Sequence, residues 1–206
     1  MMSVKLCILL VEDDASLRDW WSGSLEDMGY AVLSAGSVAE ATALSRQSVT
    51  SIDLAVLDLG LPPTPNEATA GLELLRLLML ERPSLKVLVL TGQDQPSVAL
   101  TAIGLGAFDF LNKPASSQRL REALARAVLF LQADKHLSAC GQTRMTLTAP
   151  IAEGVKEFGE AAQERLVRAV LAESQFNVAQ AARKLGLTRE HLYYFMKKFG
   201  IQRCAP

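Results

Sequence analysis

No segment of this chain is long and apolar enough to read as a membrane-spanning helix. The longest apolar run near its start, Leu6 to Val11, is far short of the ~18 residues a span requires, and no small-residue cleavage site follows it. Cysteine is scarce. Cys7, Cys140 and Cys204 are odd in number and lack metal-type pairing, which argues against a disulfide framework and for a reducing, cytoplasmic setting. His136 and Cys140 would share a helix face, but two ligands do not make a zinc site. A Gly-x-x-x-x-Gly-Lys-Ser/Thr phosphate loop is also missing, so the sequence holds no P-loop ATPase module. Internal repeats and low-complexity tracts are absent as well.

What is present fits a folded protein, with 50% hydrophobic and 21% charged residues. At 206 residues there is room for one domain of ordinary size and a small second one, since a compact domain usually takes ~100 to 200 residues. The net charge of −1 conceals an asymmetry: residues 1–150 carry 12 Lys and Arg against 16 Asp and Glu, whereas 151–206 carry 9 against 6. After Asn177 the imbalance sharpens, with Arg183, Lys184, Arg189, Lys197, Lys198 and Arg203 opposed only by Glu190. A short basic end of this kind suggests a polyanionic partner.

Up to about residue 130, short apolar runs alternate with longer amphipathic ones, which predicts an α/β fold. The strands expected are Leu6 to Val11, Ala31 to Ser34, Leu54 to Leu57, Val87 to Leu90 and Phe108 to Leu111, all read as buried parallel strands. The first helix, Ala15 to Met28, puts Leu17, Trp20, Trp21, Leu25 and Met28 near one face, and Ser37-Val38-Ala39-Glu40 is a capping box that opens the second. The third runs from about Leu72 to Glu81, ahead of Pro83. A fourth starts near Ser97, and a fifth from Ser117 stacks Leu120, Leu124, Val128 and Leu131. Right-handed crossovers then give a doubly wound five-stranded parallel sheet with helices on both faces. The reading divides the chain into a domain over 1–132, a linker over 133–150, and a small all-α helix-turn-helix domain over 151–206.

In a doubly wound sheet ligands bind beyond the carboxyl ends of the strands. Glu12, Asp13 and Asp14 follow the first strand, Asp58 ends the third, Thr91 ends the fourth, and Lys113-Pro114 follows the fifth. Carboxylates converging on one spot repel unless a hard cation sits among them, and an all-oxygen set suits Mg²⁺. The same cation would neutralise an incoming phosphoryl group, leaving Asp58 as nucleophile, with the Lys113 ammonium and the Thr91 hydroxyl as donors.

The stretches Leu10-Val11-Glu12-Asp13-Asp14, Leu57-Asp58-Leu59-Gly60-Leu61-Pro62, Leu90-Thr91-Gly92 and Gly106-Ala107-Phe108-Asp109-Phe110-Leu111-Asn112-Lys113-Pro114 resemble the response-regulator receiver family, whose fold is flavodoxin-like. The resemblance implies that Asp58 is the phosphoacceptor and that Asp13, Asp58, the Gly60 carbonyl and Glu12 (through water) serve Mg²⁺. Thr91 and Phe110 would be the switch pair, although an aromatic at a strand end also reads as core. Its only catalysis would be its own Mg²⁺-dependent aspartyl phosphorylation and dephosphorylation, with a sensor histidine kinase as phosphodonor partner. The segment between Pro62 and Gly71 departs from the family by lengthening a loop.

From Asn177 to Ile201 two short helices flank a turn at Gly186, with Asn177 and Thr188 as N-caps, a helix-turn-helix pattern. The expected helices are 155–173, 178–185 and 189–199, with Ala181, Ala182, Leu185, Leu187, Leu192 and Met196 as the core. Thr188, Arg189 and His191 begin the last helix, where side chains enter a major groove, and Lys197 and Lys198 could reach phosphates. This stretch resembles the Fis-type domain of nitrogen-regulator-class transcription factors. That resemblance implies double-stranded DNA as partner and a homodimer formed by the preceding helix through Leu166, Val170 and Leu171. Positions often basic in that family are Tyr193, Tyr194 and Phe195 here. The function expected is a phosphorylation-controlled transcriptional regulator. The alternative is a signalling adaptor or antagonist that dimerises through its C-terminal helices with little DNA binding.

Overall fold

The structure is a computed structural model and describes residues 5–47, 52–63, 67–92, 96–144 and 154–201. Strand and helix alternate through β1 (Cys7–Val11), α1 (Ala15–Asp27), β2 (Ala31–Ala35), α2 (Val38–Gln47), β3 (Leu54–Asp58), α3 (Thr69–Glu81), β4 (Lys86–Thr91), α4 (Pro96–Leu105), β5 (Asp109–Asn112) and α5 (Ser117–Ala139). The sheet is five-stranded in the order β2-β1-β3-β4-β5, and every pairing is parallel. This is the expected doubly wound architecture.

Side chains alternate across a strand, and that alternation builds two cores. Leu9, Val11, Ala55, Leu57, Val87 and Val89 pack with Ala41 of α2, Leu74, Leu75 and Leu78 of α3 and Ala102 of α4. Ile8, Leu10, Leu54, Val56, Leu88 and Leu90 face the other way, onto Trp21 and Leu25 of α1 and Leu120 and Leu124 of α5. β1 and β3 are buried along their whole length. β2 and β5, expected to be equally buried, are half-covered because they are the edges of the sheet.

Local chemistry sets the helix ends. Asp14 caps α1 by accepting from the Leu17 N–H at 2.9 Å. Ser37 Oγ accepts from the Glu40 N–H at 3.2 Å, while Glu40 Oε2 reaches back past the usual box partner to the Gly36 N–H at 2.7 Å. α5 continues to Ala139, past the last buried leucine of its stripe, Leu131. It closes where Gly141 turns left-handed (φ 73°) and the Gln142 N–H donates to the Leu137 carbonyl at 2.9 Å.

Two further expectations shift. Of the two adjacent tryptophans only Trp21 enters the core; Trp20 is 52% exposed, because residues one apart on a helix point about 100° apart. α3 begins at Thr69, three residues before the expected Leu72. Its first turn holds Gly71, where a Cβ would lie 2.4 Å from the Leu59 Cα and 2.7 Å from the Leu59 carbonyl oxygen. The absence of a side chain lets α3 close against the backbone that follows Asp58.

The described chain divides into two compact units, the first ending at Ala133 within α5. The second contains α6 (Gly154–Glu173), α7 (Val178–Lys184) and α8 (Arg189–Lys198). Asn177 Oδ1 accepts from the Gln180 N–H at 3.1 Å and Thr188 Oγ1 from the His191 N–H at 3.2 Å, the two expected caps. Gly186 between them is left-handed at φ 66°. Val167, Val170, Leu171, Ala181, Ala182, Leu192 and Ile201 form the core, with Leu185, Phe195, Met196 and Phe199 packed around it; Leu187 is half-buried. No described helix is long and apolar enough to cross a membrane.

Gly71→Ala is expected to lower stability by about 1–3 kcal/mol through forced backbone movement. Gly23→Ala, at an exposed α1 position with nothing within 4 Å of the added Cβ, should raise it by about 1 kcal/mol. Urea midpoints of the two variants check this, and opposite signs are the expected result.

Candidate functional site

At the carboxyl edge of the sheet the register brings acids from separate strands together. Val11 lies opposite Leu57, so Glu12 and Asp58 emerge side by side. The Glu12 N–H donates to the Ala35 carbonyl at 3.1 Å, which extends the β1–β2 pairing through that residue. Carboxylate oxygens of Glu12, Asp13 and Asp58 all lie within 4.8 Å of one another. Glu12 and Asp58 are buried, and Asp13 is half-exposed.

Lys113 enters from the end of β5, fixed by a 2.7 Å bond from its N–H to the Thr91 carbonyl. Its Nζ donates to Glu12 Oε2 at 2.6 Å and to Asp58 Oδ2 at 2.9 Å. Asp58 Oδ1 accepts from the Gly60 N–H at 3.2 Å, which holds Gly60 beside the cluster. Thr91 is buried at the end of β4, next to these groups in the strand order. Phe110 is partly buried and packs against the core on the α2–α3–α4 side of the sheet. Of the three acids after β1, Asp14 turns away to cap α1.

The electrostatics follow from this crowding. Burial pushes the Glu12 carboxyl above its ordinary range, with Asp58 and Asp13 adding to the rise and the Lys113 ammonium opposing it. Burial alone would lower the Lys113 value, but hydrogen bonds to Glu12 and Asp58 more than offset it, so the group lies above an ordinary lysine and stays charged at neutral pH. Three carboxylates facing one ammonium leave a net negative pocket lined by oxygens, a donor set suited to a hard divalent cation.

Sequence reasoning missed Arg18. From α1 its Nη1 donates to the backbone carbonyls of Glu12 at 2.7 Å and Asp13 at 3.1 Å. A Cβ on Gly36 would stand 2.8 Å from that same nitrogen. The guanidinium thus grips the loop that carries two of the acids. An arginine four residues after the N-cap was the only signal, and many surface arginines share it.

In the second unit, Thr188, Arg189, His191 and Lys197 are exposed along α8. Lys198 is not free: it pairs with Glu160 of α6 at 3.0 Å and lies 5.3 Å from the centre of the Phe199 ring. Lys184 pairs with Glu173 at 2.9 Å, and Arg203 lies outside the described residues, as do 64–66 of the long loop, 145–150 of the expected linker and 151–153 at the start of the expected second domain. Leu171 is fully buried and Val170 nearly so in the unit's own core, with Leu166 packed against it. Tyr193 and Tyr194 are 57% and 59% exposed, whereas Phe195 packs inward. The Glu190 carboxylate is held below its ordinary range by hydrogen bonds to its own backbone N–H and to the Thr188 hydroxyl.

Comparison with known proteins agrees with both halves. Residues 8–125 match the response regulator receiver domain, and residues 160–199 match the Fis family of bacterial regulatory proteins. The chain belongs to the response-regulator receiver family. It is 35% identical over 132 residues to the alginate biosynthesis transcriptional regulatory protein AlgB of Pseudomonas syringae pv. tomato, an alignment covering 64% of this chain and 28% of that protein. It is 33% identical over 117 residues to the photosynthetic apparatus regulatory protein RegA of Cereibacter sphaeroides, covering 57% and 60%. The match thus spans under a third of the first relative and three-fifths of the second. Among solved structures, a response regulator from Burkholderia pseudomallei with a phosphorylated aspartic acid, calcium ion and citrate aligns over 92% of this chain and 97% of its own, at 26% identity and a TM-score of 0.52.

Lys113→Met should leave Glu12 and Asp58 facing each other without their cation. Because the folded Glu12 value is raised, its contribution to stability is greatest below the unfolded value and is lost as pH rises through the folded one. Lys113, with its raised value, contributes across that whole window. The variant is therefore expected to lose about 1–3 kcal/mol at about pH 8 and much less at about pH 5, read from urea unfolding of metal-free protein. An equal loss at both pH values would contradict this account of the cluster.

Proposed function

We propose that this chain is a phosphorylation-controlled DNA-binding response regulator acting in the cytoplasm. In this reading, residues 1–132 form the receiver domain, 133–150 the linker and 151–206 the Fis-type DNA-binding and dimerisation domain. Asp58 is the phosphoacceptor and a sensor histidine kinase the donor. One Asp58 carboxylate oxygen attacks the phosphorus of the donor's phosphohistidine; the new O–P bond forms as the P–N bond breaks, and the released imidazole takes up a proton. The Asp13 and Asp58 carboxylates and the Gly60 carbonyl would hold Mg²⁺ with Glu12 nearby, and the ion would supply charge neutralisation for the entering phosphoryl group. Lys113 is already bonded to Asp58 and needs only to turn its ammonium to the new phosphate, while Thr91 donates its hydroxyl to a phosphate oxygen. Phe110 would follow Thr91, so that the added charge of ~−1.5 to −2 biases a two-state face.

The observation that carries this reading is the convergence of Glu12, Asp13, Asp58 and Lys113 from three strands at one edge of the sheet. For the output, the support is the capped α7–α8 pair with Thr188, Arg189, His191 and Lys197 exposed along α8, and Lys198 at its end. A homodimer would place two such helices on half-sites about 34 Å apart or multiples of that distance. The adaptor reading draws on a different observation: Lys184 and Lys198 are tied to acids, and two tyrosines stand exposed where bases would be read.

Binding of the purified protein to genomic duplex fragments, with and without Mg²⁺ and a beryllium fluoride phosphate mimic, separates the two. DNA binding that the mimic alters in the wild type but not in Asp58→Ala is the expected result, and Arg189→Ala should weaken it about tenfold or more. No shift in any state, even at low salt, would favour the adaptor. Arg18→Ala is expected to weaken Mg²⁺ binding several-fold by calorimetric titration while leaving Asp58 in place, because the loop bearing Glu12 and Asp13 loses its clamp.

A further inference from the structure

The inward face of α8 is defined by Leu192, Phe195, Met196 and Phe199, which pack on the core of the second unit. At about 100° per residue, the middle of the opposite face falls on Glu190, Tyr194 and Lys197. Arg189 and Tyr193 flank this stripe on one side, and His191 and Lys198 on the other. Glu190 and Lys197 are exposed, Tyr194 is 59% exposed, and Lys198 is drawn toward Glu160. The outermost side chains of the helix are therefore an acid, an aromatic ring and a lysine, not the row of cations that phosphate binding alone would favour.

A carboxylate at the centre of a surface that approaches DNA is repelled by the phosphates on both sides of the groove. Such a group costs affinity on arbitrary sequence. It is recovered only where it meets a donor on a base edge; the major groove offers the cytosine N4 and adenine N6 amino groups, and a carboxylate suits cytosine because the N7 acceptor beside the adenine amino group repels its second oxygen. One turn further along, the Tyr194 ring makes an edge contact with Phe195 at 5.6 Å between centroids and is otherwise 59% exposed; the apolar feature of the major groove is the thymine methyl. Lys197, another turn on, is exposed and could reach a phosphate.

We infer that Glu190 and Tyr194 are the sequence-discriminating side chains of α8, Glu190 accepting a hydrogen bond from a cytosine N4 amino group and Tyr194 packing its ring on a thymine methyl. This rests on the DNA-binding reading above. Arg189, at the edge of the stripe, and Lys197 then contribute chiefly affinity. The helix trades general attraction to DNA for selectivity, a form of discrimination by repulsion from the wrong partner. Glu190 also lies in the first turn of α8, where its carboxylate accepts from its own backbone N–H and from the Thr188 hydroxyl and a negative charge stabilises the helix end; reading a base requires it to exchange these bonds for the cytosine amino group, so the test must separate reading from helix stability.

The test is selection of binding sites from a random duplex pool by the full-length protein and by Glu190→Gln, Glu190→Ala and Tyr194→Ala, with helix content followed by circular dichroism. The wild type is expected to enrich a cytosine column in each half-site. Glu190→Gln should move that column toward adenine, the base whose N6 and N7 suit a side-chain amide, and Glu190→Ala should cut discrimination there about tenfold. The same Glu190→Ala change should raise binding to unrelated duplex at low salt about two- to fivefold, and Tyr194→Ala should lose a neighbouring thymine preference. An enriched pattern that stays the same in all three variants, or a wild type that binds DNA without preference, overturns the inference and leaves Glu190 a helix-end residue. A wild type that binds no duplex at any salt overturns the DNA-binding reading itself, and this inference with it.

Discussion

In the parallel pairing of β1 with β3, Val11 lies opposite Leu57, and the residues that follow leave the sheet side by side. That register is the constraint on which the site depends. A slip of one residue would exchange the side chains on the two faces of the strand and move Asp58 out of reach of Glu12. The slip is resisted on both faces at once, because Leu9, Val11, Ala55 and Leu57 fit one core while Ile8, Leu10, Leu54 and Val56 fit the other. Apolar packing on two sides thus holds together carboxylates that would otherwise move apart.

The ammonium of Lys113 is the necessary complement. It arrives from β5, two strands away from β3 in the sheet, and bonds both buried acids. Its position depends on β4, since the Lys113 N–H is tied to the Thr91 carbonyl. Acid, hydroxyl and ammonium are linked through backbone bonds, so a change of charge at Asp58 acts on groups already held by the ends of β4 and β5. Arg18 works from behind, fixing the carbonyls of the residues whose carboxylates face forward.

The second unit solves a different problem with fewer residues. Three helices offer little apolar area, and the core is completed by Phe195, Phe199 and Ile201 at and beyond the end of α8. Arg168 ties this end down by donating to the Phe199 carbonyl at 2.9 Å while pairing with Glu164. The α6–α7 turn holds Gln175 and Phe176 in the left-handed region, at φ 50° and 58°, a cost that burial of the Phe176 ring against the core helps to offset. On the outer face of α8, Tyr194 and Lys197 stand exposed, while Glu190 bonds back to the Thr188 hydroxyl and Lys198 pairs with Glu160.

Much of this was legible from residue order. The alternation of apolar runs, the caps at Asn177 and Thr188, the turn at Gly186 and the acids after β1 and β3 all depend on neighbours within a few residues, where periods of 2 and 3.6 and capping rules operate. The sequence by itself therefore determined the order of strands and helices, the two-part organisation and the identity of the residues at the strand ends. It did not determine which of two adjacent tryptophans is buried, that Asp14 caps a helix while Asp13 joins the cluster, that Lys198 pairs with Glu160, or that Val170 and Leu171 fill a core. Those outcomes rest on contacts between residues far apart in the chain, such as Lys113 with Glu12 at a separation of 101 residues. Only the packed tertiary structure decides them, because a side chain's neighbours across a sheet or between helices are set by the register and crossing of whole elements.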